Sequence, residues 1–486
     1  MAEIPPSGPN VPSYGLFIDG RWRHATGGLE NRNPANPASV VSAHALAGPA
    51  DVDEAYAAAR AAAPGWRRTS PVKRGEILYR AAELMASRLE QIAAELTAEE
   101  GKTLAEARGE AGRAVSVLRF FAGECSQPTG DMLPSVAEGT LLYSVREPLG
   151  VVCVITPWNF PIAIPTWKLA PAAAYGNTVV FKPSDLTPLC AVRLVEALAE
   201  AGLPPGVLNM VTGMPAEIGD ALTSHAEVDA ITFTGSNPVG RAIQAAAVPR
   251  GVKVQLELGG KNPVIVLADA DLDVAVDQTL RGAMFSTGQK CTATSRAIVH
   301  PSIAGEFTER VLSATRALRV GDGAREGVHV GPLVSEPQRE RVLSYLGVAR
   351  DEGHELLTGG AAGDGEGWFV QPTVYAGVDP GSRIGQEEIF GPVLGLMQAD
   401  DLEQALGIAN SVDFGLSASL FTRDLAAALA FAREAEVGVV HVNSETAGAE
   451  PQAPFGGMKR SSSHSREQGK AAVHFFTETK TVYITA

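Results

Sequence analysis

The segment FSTGQKCTATSR holds Cys291, one of four cysteines in the 486-residue sequence. The others lie in runs such as VVCVITPW and TPLCAVRLV, where a thiol serves as a small apolar side chain. Cys291 instead stands among small, polar and basic residues, directly after Lys290. A nucleophilic cysteine needs a lowered pKa, which a cation or a helix N-terminus provides. Gly288 and the small residues after Cys291 predict a turn into a helix. Cys291 is therefore a candidate nucleophile, with a buried structural cysteine as the alternative.

Glu257 is the best candidate for a base, because no histidine lies close to Cys291 in the sequence. It stands in QLELGGKNP at the end of a β-rich run, just before two glycines. Side chains at strand ends in α/β folds point into the ligand crevice. A solvated glutamate before a turn is the alternative interpretation.

Other polar residues also follow β-rich runs. Asn159 in PWNFP could donate its amide to a developing oxyanion, or could brace a turn between two prolines. Gly235 and Gly240 in FTGSNPVG are compatible with a phosphate at a helix N-terminus, although the spacing is not GxGxxG. Lys182 and Asp185 in FKPSD suit ribose hydroxyls.

These residues sit in a regular alternation of elements. Short β-rich runs, from GVVCVITP to KVQLELGG, alternate with helical stretches, and a second such series spans residues 262–442. The pattern predicts an α/β protein with a doubly wound parallel sheet. A chain of this length predicts two or three domains. A Gly/Pro-rich break and an alternating run at 127–150, and a strand-like C-terminus, predict an extended arm.

The N-terminal region carries its own signals. GLFIDGRWRHA predicts a hairpin around Asp19 and Gly20. Ser70 and Pro71 predict the start of a helix that continues to Gly101.

Composition limits the partners. With 55 acidic and 40 basic residues the net charge is −15, which argues against nucleic acid or an anionic membrane. The cysteine spacing predicts neither disulfides nor a metal site. Prolines, asparagines and a lysine interrupt the most apolar window, residues 149–181, so no membrane span is expected. The N-terminus lacks a signal-peptide pattern, and we expect a reducing, cytoplasmic location.

Taken together, the motifs resemble the aldehyde dehydrogenase superfamily. PWNFP, FKPSD, FTGS, ELGGKNP, GQKC, EEIFGP and PFGGMK occur in the family's order, and 34 residues separate Glu257 from Cys291, as in the family. The resemblance extends from FIDGRW almost to the C-terminus. It implies a Rossmann-like cofactor domain, an α/β catalytic domain and a β oligomerisation arm.

The resemblance also implies a mechanism. Cys291 attacks the aldehyde to give a thiohemiacetal, whose oxyanion is held by Asn159 and the Cys291 backbone N–H. Hydride leaves to the nicotinamide, and Glu257 activates water to hydrolyse the resulting thioester. Lys168 in PTWK and Glu467 in SREQG match positions that relay protons to that glutamate.

A nicotinamide dinucleotide is the cofactor that the resemblance implies. The acidic Asp185 favours NAD, because it would repel the 2′-phosphate of NADP, and NADP use stays open. The matched cofactor positions are Ile155, Trp158, Lys182, Asp185, Gly235, Ser236, Gly240, Glu388 and Phe390.

The substrate positions are less specific. Phe160, Trp167 and Phe455 match aromatic walls of the family's substrate tunnel, or are ordinary core residues. Succinate semialdehyde enzymes of the superfamily usually place an arginine where this chain has Ser286. Lys290 is the nearest alternative cation that could bind a substrate carboxylate. Its alternative roles are to tune the pKa of the Cys291 thiol or simply to face solvent.

The C-terminal motif departs from the common GGxKxSGxGRExG pattern. This chain reads GGMKRSSSHSREQG, with Ser463, His464 and Ser465 in place of the glycine stretch. With the other motifs, this variant most resembles the members that oxidise α-ketoglutaric semialdehyde (2,5-dioxopentanoate). Other aldehydes stay open: succinate semialdehyde, betaine-type, aliphatic or aromatic.

The resemblance implies a division of the chain. Residues 1–126 and 148–257 form the NAD(P)-binding domain, 258–468 the catalytic domain, and 127–147 with 469–486 the oligomerisation arm. Arm strands without partners in their own domain can be extended by another subunit, so a homodimer or homotetramer is expected. Two other functions stay open. One is a CoA-acylating dehydrogenase, against which the presence of Glu257 counts, and the other is a non-catalytic binding protein on the same scaffold.

Overall fold

The computed structural model describes residues 11–24, 27–128 and 130–486. In chain order the strands are β1 (Ser13–Tyr14), β2 (Leu16–Ile18), β3 (Arg21–Arg23), β4 (Gly27–Asn33), β5 (Asn36–Leu46), β6 (Met132–Leu133), β7 (Thr140–Pro148), β8 (Val151–Ile155), β9 (Thr178–Lys182), β10 (Leu208–Met210), β11 (Ala230–Thr234), β12 (Lys253–Glu257), β13 (Asn262–Val266), β14 (Thr294–Val299), β15 (Glu355–Thr358), β16 (Thr373–Ala376), β17 (Val393–Gln398), β18 (Phe414–Gly415), β19 (Ser417–Phe421), β20 (Val439–Val442), β21 (Met458–Lys459) and β22 (Thr477–Thr485).

The α-helices are α1 (Pro49–Arg68), α2 (Pro71–Ser87), α3 (Leu89–Glu100), α4 (Leu104–Glu124), α5 (Ala163–Ala174), α6 (Pro188–Glu200), α7 (Pro215–Thr223), α8 (Asn237–Ala247), α9 (Leu272–Met284), α10 (Pro301–Arg316), α11 (Glu336–Asp351), α12 (Arg383–Gln386), α13 (Leu402–Asn410), α14 (Leu425–Glu434) and α15 (Ala472–Phe476). Short 3-10 helices span Val248–Arg250 and Phe285–Gly288.

The first large sheet has the order β12-β11-β8-β9-β10-β2-β3. Its strands β8 to β12 are parallel, and numbered along the chain they lie in the spatial order 3-2-1-4-5. This is the doubly wound arrangement, and its strand order reverses between β8 and β11, where such folds bind ligands. The hairpin β2–β3 closes one edge through Asp19 and Gly20, both with positive φ, which confirms the predicted turn.

Both faces of this sheet are covered, as its continuous apolar strands require. Along β8, Val152 and Val154 pack into one hydrophobic cluster, whereas Val151 and Cys153 pack into the cluster on the opposite face. This alternation follows the two-residue period of a strand. Cys153 is therefore a core residue, as its apolar surroundings in the sequence indicate.

The second large sheet has the order β15-β16-β17-β14-β13-β19-β20. Its strands are parallel except for the antiparallel edge strand β15. The chain passes from the first sheet to the second between Glu257, the last residue of β12, and Asn262, the first of β13. The structure thus places the LGGK turn between the two sheets.

A third, smaller sheet is made by β22, β7 and β6. The C-terminal strand β22 pairs antiparallel with β7 from Thr477 opposite Pro148 to Thr485 opposite Thr140. Tyr483 on β22 is 68% exposed, so this apolar ring is not covered within the chain. The division into domains with the limits given above stays a prediction.

One predicted helix is divided. The chain from Pro71 to Gly101 forms two helices, α2 and α3, with a break at Arg88, whose φ of −110° and ψ of 13° are not helical. Gly101 ends α3 in the left-handed conformation, as its position in the sequence predicts. Within the described ranges, no helix is both long enough and apolar enough to cross a membrane.

Candidate active site

The loop before Cys291 has an unusual backbone. Ser286, Thr287 and Gly288 all have positive φ, of 51°, 55° and 66°. A Cβ atom at Gly288 would collide with the carbonyl oxygen of Gly391, so only glycine fits there. Ser286 and Thr287 are not glycines, so their positive φ angles store backbone strain, which is typical of functional loops.

Cys291 lies in a turn that leads directly into β14, which begins at Thr294. The prediction of a helix after Cys291 is therefore wrong. Thr292 and Ala293 connect Cys291 to the start of β14 and begin no helix. Asn262 holds this turn, because its Nδ2 donates to the carbonyl oxygens of Cys291 at 2.8 Å and Ala293 at 3.0 Å.

The surroundings of the Cys291 thiol disfavour its ionised form. Burial, followed by the Glu388 and Glu257 carboxylates, raises the pKa of Cys291 to about 12. The expectation that Lys290 or a helix terminus lowers this pKa is wrong for this structure. Attack by a thiolate must therefore be coupled to proton removal by a base.

Asn159 is held from both sides. Its Nδ2 donates to the carbonyl oxygen of Gln289 at 2.9 Å, two residues before Cys291. The backbone carbonyl oxygen of Asn159 accepts from Lys102 Nζ at 2.8 Å, and Lys102 forms an ion pair with Glu110 at 2.6 Å. All three side chains are buried. The second hydrogen of the Asn159 amide is left for a ligand, as an oxyanion donor requires.

Glu257 is buried at 2% exposure. Its Oε2 accepts from Ser462 Oγ at 2.5 Å, while Oε1 has no partner among the described residues. Burial, followed by the Glu467 carboxylate, raises the pKa of Glu257 well above its usual range, and the Ser462 hydrogen bond opposes that rise. Gly456 packs against the free oxygen, where a Cβ would lie 2.7 Å from Oε1. Glu257 is thus a carboxyl group with one oxygen free for a proton.

A buried polar cluster lies close enough to Glu257 for its charges to act on that carboxyl group. Lys168 Nζ contacts Glu467 Oε1 directly and donates to Thr232 Oγ1 at 2.8 Å, and Thr232 in turn donates to Gln255 at 3.0 Å. Lys168 and Glu467 are buried, and the Glu467 charge acts on Glu257. The structure thus brings Lys168 and Glu467 together, and neither forms a hydrogen bond to Glu257 among the described residues.

A cavity of about 630 Å³ is lined by residues that follow β8, β11 and β12. This is the edge at which a doubly wound sheet binds its ligand. The predicted site residues on its wall are Trp158, Asn159, Gly235, Ser236, Glu257, Cys291, Glu388 and Phe390.

The wall of this cavity fits a dinucleotide. Thr234 Oγ1 and Asn237 Oδ1 are buried polar atoms without a partner in the described part of the chain. Helix α8 begins at Asn237, so its N-terminal N–H groups border the cavity and favour a phosphate. Glu388 accepts from the Gly260 N–H at 3.0 Å through Oε1, and burial raises its pKa to about 7. Its other oxygen can accept from a ribose hydroxyl.

Phe390 and Trp158 form the apolar side of the same cavity. Their rings lie edge to face, with centroids 5.3 Å apart. Phe390 has a φ of 63°, which a bulky residue adopts only where its surroundings impose it. A flat heterocycle can pack against such a pair.

Four predicted cofactor residues lie beside this cavity but not on its wall: Ile155, Lys182, Asp185 and Gly240. Ile155 ends β8 and pairs with Lys182 at the end of β9. Lys182 Nζ lies 4.0 Å from Asp185 and donates to the Pro183 carbonyl at 3.1 Å, and burial lowers its pKa.

Gly240 has a packing role that its sequence motif does not show. It lies inside α8, and a Cβ there would come within 2.6 Å of Leu258 Cδ2. Its missing side chain therefore lets α8 approach the end of β12.

A second cavity, of about 320 Å³, also reaches Cys291. Its wall carries Phe160, Trp167, Phe455 and Lys290, the four predicted substrate residues. The rings of Trp167 and Phe455 lie 5.5 Å apart. Cys291 thus lies on the walls of both cavities, and a small aldehyde in one can reach a thiol that a cofactor approaches from the other.

Lys290 is already engaged. Its Nζ donates to the carbonyl oxygen of Arg281 at 3.1 Å and lies 3.4 Å from Glu445. The side chain is 8% exposed. Two of its three donors are therefore used within the protein, which weakens the hypothesis that Lys290 binds a substrate carboxylate.

The serine-rich segment that departs from the family pattern runs along β12. Ser463 Oγ accepts from the Leu256 N–H at 2.9 Å, and Gln255 Nε2 donates to Ser465 Oγ at 3.1 Å. His464 is exposed between them. Ser462 was not among the predicted site residues, although the polar run around it was the available signal.

Comparison with known proteins identifies the family to which the chain belongs. Residues 22–482 match the model of the aldehyde dehydrogenase family, and the chain belongs to that family. It is an enzyme of the oxidoreductase class that acts on aldehydes.

Particular relatives span nearly the whole chain. An α-ketoglutaric semialdehyde dehydrogenase of Bacillus subtilis (strain 168) is 48% identical over 97% of this chain and 98% of that protein. A 2,5-dioxopentanoate dehydrogenase of Saccharolobus solfataricus is 43% identical over 93% of this chain and 95% of that protein. The solved structure of Staphylococcus aureus betaine aldehyde dehydrogenase with NAD⁺ covers 98% of this chain and 95% of its own, with 34% identity and a TM-score of 0.95.

Proposed function

We propose that this enzyme oxidises an acidic semialdehyde of the 2,5-dioxopentanoate type to the carboxylic acid, with NAD as the cofactor. The observation that carries the proposal is the position of Cys291 on the walls of two cavities, one suited to a dinucleotide and one lined by aromatic side chains and by charged side chains of both signs. The names of the two relatives above support the substrate class.

The residues divide the reaction between them. Cys291 Sγ adds to the aldehyde carbon while its proton passes to a base, and Glu257 lines the same cavity with a free oxygen. The free hydrogen of the Asn159 amide and the Cys291 N–H stabilise the oxyanion of the thiohemiacetal. A nicotinamide cofactor bound in the larger cavity would supply the acceptor for the hydride that leaves this carbon.

Glu257 acts again in the second half of the reaction. It takes a proton from water, whose oxygen attacks the thioester carbon, and the C–S bond breaks to release the carboxylic acid and the Cys291 thiolate. Lys168 and Glu467 pass the proton from Glu257 into the polar cluster behind it. The presence of Glu257 supports transfer to water and not to the thiol of CoA.

The cofactor is held at the ends of β8, β9 and β11. Gly235, Ser236 and the N-terminus of α8 would hold the diphosphate, and Lys182 with Asp185 would hold the adenosine ribose. Glu388 would accept from the nicotinamide ribose, and the Trp158–Phe390 pair would offer an apolar surface to the ring. The carboxylate at Asp185 favours NAD over NADP, because it repels a 2′-phosphate.

The assembly that we propose is a homodimer or homotetramer built through the three-stranded sheet of β22, β7 and β6. Its edge strand β22 is nine residues long and leaves Tyr483 and Ile484 exposed. A long uncovered edge invites pairing with a second copy. We place the enzyme in the cytoplasm, because a reducing compartment keeps Cys291 as a thiol.

The test is absorbance of NADH with a panel of aldehydes, with and without CoA. The panel contains 2,5-dioxopentanoate, succinate semialdehyde, glutaraldehyde, betaine aldehyde and simple aliphatic and aromatic aldehydes. The proposal expects the highest kcat/KM with the acidic semialdehydes, and turnover without CoA. A preference for betaine aldehyde would favour the second candidate, which the Staphylococcus aureus neighbour supports. A requirement for CoA would overturn the hydrolytic reaction.

A further inference from the structure

The charged side chains around the smaller cavity have an ion-pair or hydrogen-bond partner among the described residues in all but one case. Lys290 lies against Glu445, and Arg281 forms an ion pair with Asp277 at 2.9 Å. Glu106 accepts from the Ser286 N–H at 2.6 Å. Lys290 and Arg281 are thus ion-paired, and Glu106 is held by a backbone N–H, before any ligand enters.

Glu110, on the same wall, is fully engaged as well. One oxygen accepts from the N–H groups of Ile162 and Ala163 at 3.0 and 3.1 Å, and the other accepts from Lys102. Both carboxylate oxygens of Glu110 therefore already have partners, which leaves little capacity to bind a further cation.

Arg113, one turn of α4 further along, is the exception. It lines the same cavity, and its Nη1 is buried without an acceptor in the described ranges of the chain. The acidic groups whose charges act on it are Glu110 and Glu450. Both oxygens of Glu110 already accept hydrogen bonds, and Glu450 accepts from Gln452. A buried guanidinium N–H without a partner is costly, and a ligand oxygen would relieve the cost.

A second donor is open in this cavity. Trp167 Nε1 is buried and has no acceptor among the described residues. Buried tryptophan N–H groups usually have a partner. The cavity thus offers two unpaired N–H donors, at Arg113 and Trp167, together with the Cys291 thiol on the same wall.

We propose that Arg113 binds the carboxylate of an acidic aldehyde substrate while the aldehyde end lies at Cys291. This inference rests on the proposed function and assigns the residue that selects its substrate class. A guanidinium matches a carboxylate in charge and geometry, and Trp167 Nε1 can donate to a further substrate oxygen. A quaternary ammonium substrate has no acceptor at that end and carries a charge that Arg113 repels. Arg113 replaces Lys290 as the residue for this role.

The experiment compares kcat/KM for 2,5-dioxopentanoate and for pentanal, an uncharged aldehyde of the same carbon number. In Arg113→Met, the ratio of the two values should fall by about tenfold to a hundredfold, as expected for loss of a charge-assisted hydrogen bond. Most of the loss should appear in KM, and Arg113→Lys should restore part of the ratio. Trp167→Phe, which keeps an aromatic ring, should lower the ratio less.

Arg281→Met is the matched control, because Arg281 is on the same wall and is already paired with Asp277. Its ratio should stay at the wild-type value. An unchanged ratio in Arg113→Met, with wild-type enzyme still preferring the acidic aldehyde, would overturn the role of Arg113 and leave the proposed function standing. A wild-type enzyme without that preference would instead overturn the proposed substrate class, before any variant is compared.

Loss of folding is checked separately. Thermal unfolding of Arg113→Met and of wild type is followed by circular dichroism, and glutarate, a dicarboxylate, is tested as a competitive inhibitor of both. The proposal expects weaker inhibition of the variant by glutarate at similar melting temperature. Equal inhibition of both enzymes would count against a carboxylate site at Arg113.

Discussion

Ser462 Oγ lies 2.5 Å from Glu257 Oε2 and accepts in turn from the Gly457 N–H at 2.6 Å. The hydroxyl group therefore orients the carboxyl group that we assign as the base and links it to the backbone of the GGMK turn. A hydrogen bond to the charged form of a carboxyl group lowers its pKa, and here it opposes the effects of burial and of Glu467.

Removal of this hydroxyl should change the pH dependence of turnover. In Ser462→Ala the pKa of Glu257 should rise further, so the limb of kcat that increases with pH should move up by about one to two pH units. KM should change little. Ser462→Thr, which keeps the hydroxyl, is the control. A pH profile identical to wild type in the alanine variant would show that Ser462 is only structural.

Cys291→Ala should abolish NADH formation, because no thiohemiacetal can form to donate hydride. Binding of NAD, measured by isothermal titration calorimetry, should remain, since the other residues of the larger cavity are intact. Turnover close to the wild-type value would disprove the nucleophilic role.

Glu257→Gln should slow hydrolysis of the thioester more than hydride transfer. Rapid mixing should show a burst of about one NADH per active site, followed by a steady state about a hundredfold slower or more. Glutamine keeps an oxygen that can accept from Ser462, so the fold should be preserved. If the burst itself is slowed to the same extent, Glu257 acts mainly on the thiol proton.

Alkylation by iodoacetamide should report the pKa of Cys291. Because this pKa is about 12, the rate in the free enzyme should still be rising with pH at pH 9. Glu388 is a cause of that raised value, and its own pKa is about 7, so it is charged above that pH and neutral below. Glu388→Gln should therefore accelerate alkylation at pH 8.5 and have no such effect at pH 5.5.

Mass spectrometry identifies the alkylated residue, with Cys291→Ala as the blank. Cys125, Cys153 and Cys190 are buried and should react slowly. A rate in wild-type enzyme that reaches a plateau below pH 8 would mean that the thiol is already activated.

Lys290→Met should lower kcat/KM for acidic and neutral aldehydes to a similar extent, because Lys290 is paired with Glu445 and with the Arg281 carbonyl. The expected loss is small, up to about fivefold, as for a partly exposed ion pair. A loss confined to the acidic aldehyde would restore Lys290 as the carboxylate-binding residue in place of Arg113.

The local motifs determine much of the site. PWNFP, FTGS and ELGGK each end a strand of one parallel sheet, and parallel strands bring their carboxyl ends to one edge. Asn159, Gly235 and Glu257 could thus be assigned to one crevice without coordinates. The Asp19–Gly20 turn and the end of a helix at Gly101 were predictable for a similar reason, since they depend on local backbone preferences.

Contacts between distant segments were not predictable in this way. Ser462 lies 205 residues from Glu257, and Lys168 lies 299 residues from Glu467. Arg113 stands in a helix among small residues and carries no motif. Its free Nη1 is visible only once α4 is packed beside the Cys291 loop.

The sequence alone determined the family resemblance, the doubly wound sheet and the choice of Cys291, Glu257 and Asn159 as candidate catalytic residues, because these depend on short motifs and on strand–helix order. Only the tertiary structure decided the ionisation of these groups and the partners that hold them. The Cys291 pKa is raised and not lowered, since burial and two carboxylates from other segments raise it. Burial and charge are sums over everything that packs around an atom, and sequence neighbours supply only part of that sum.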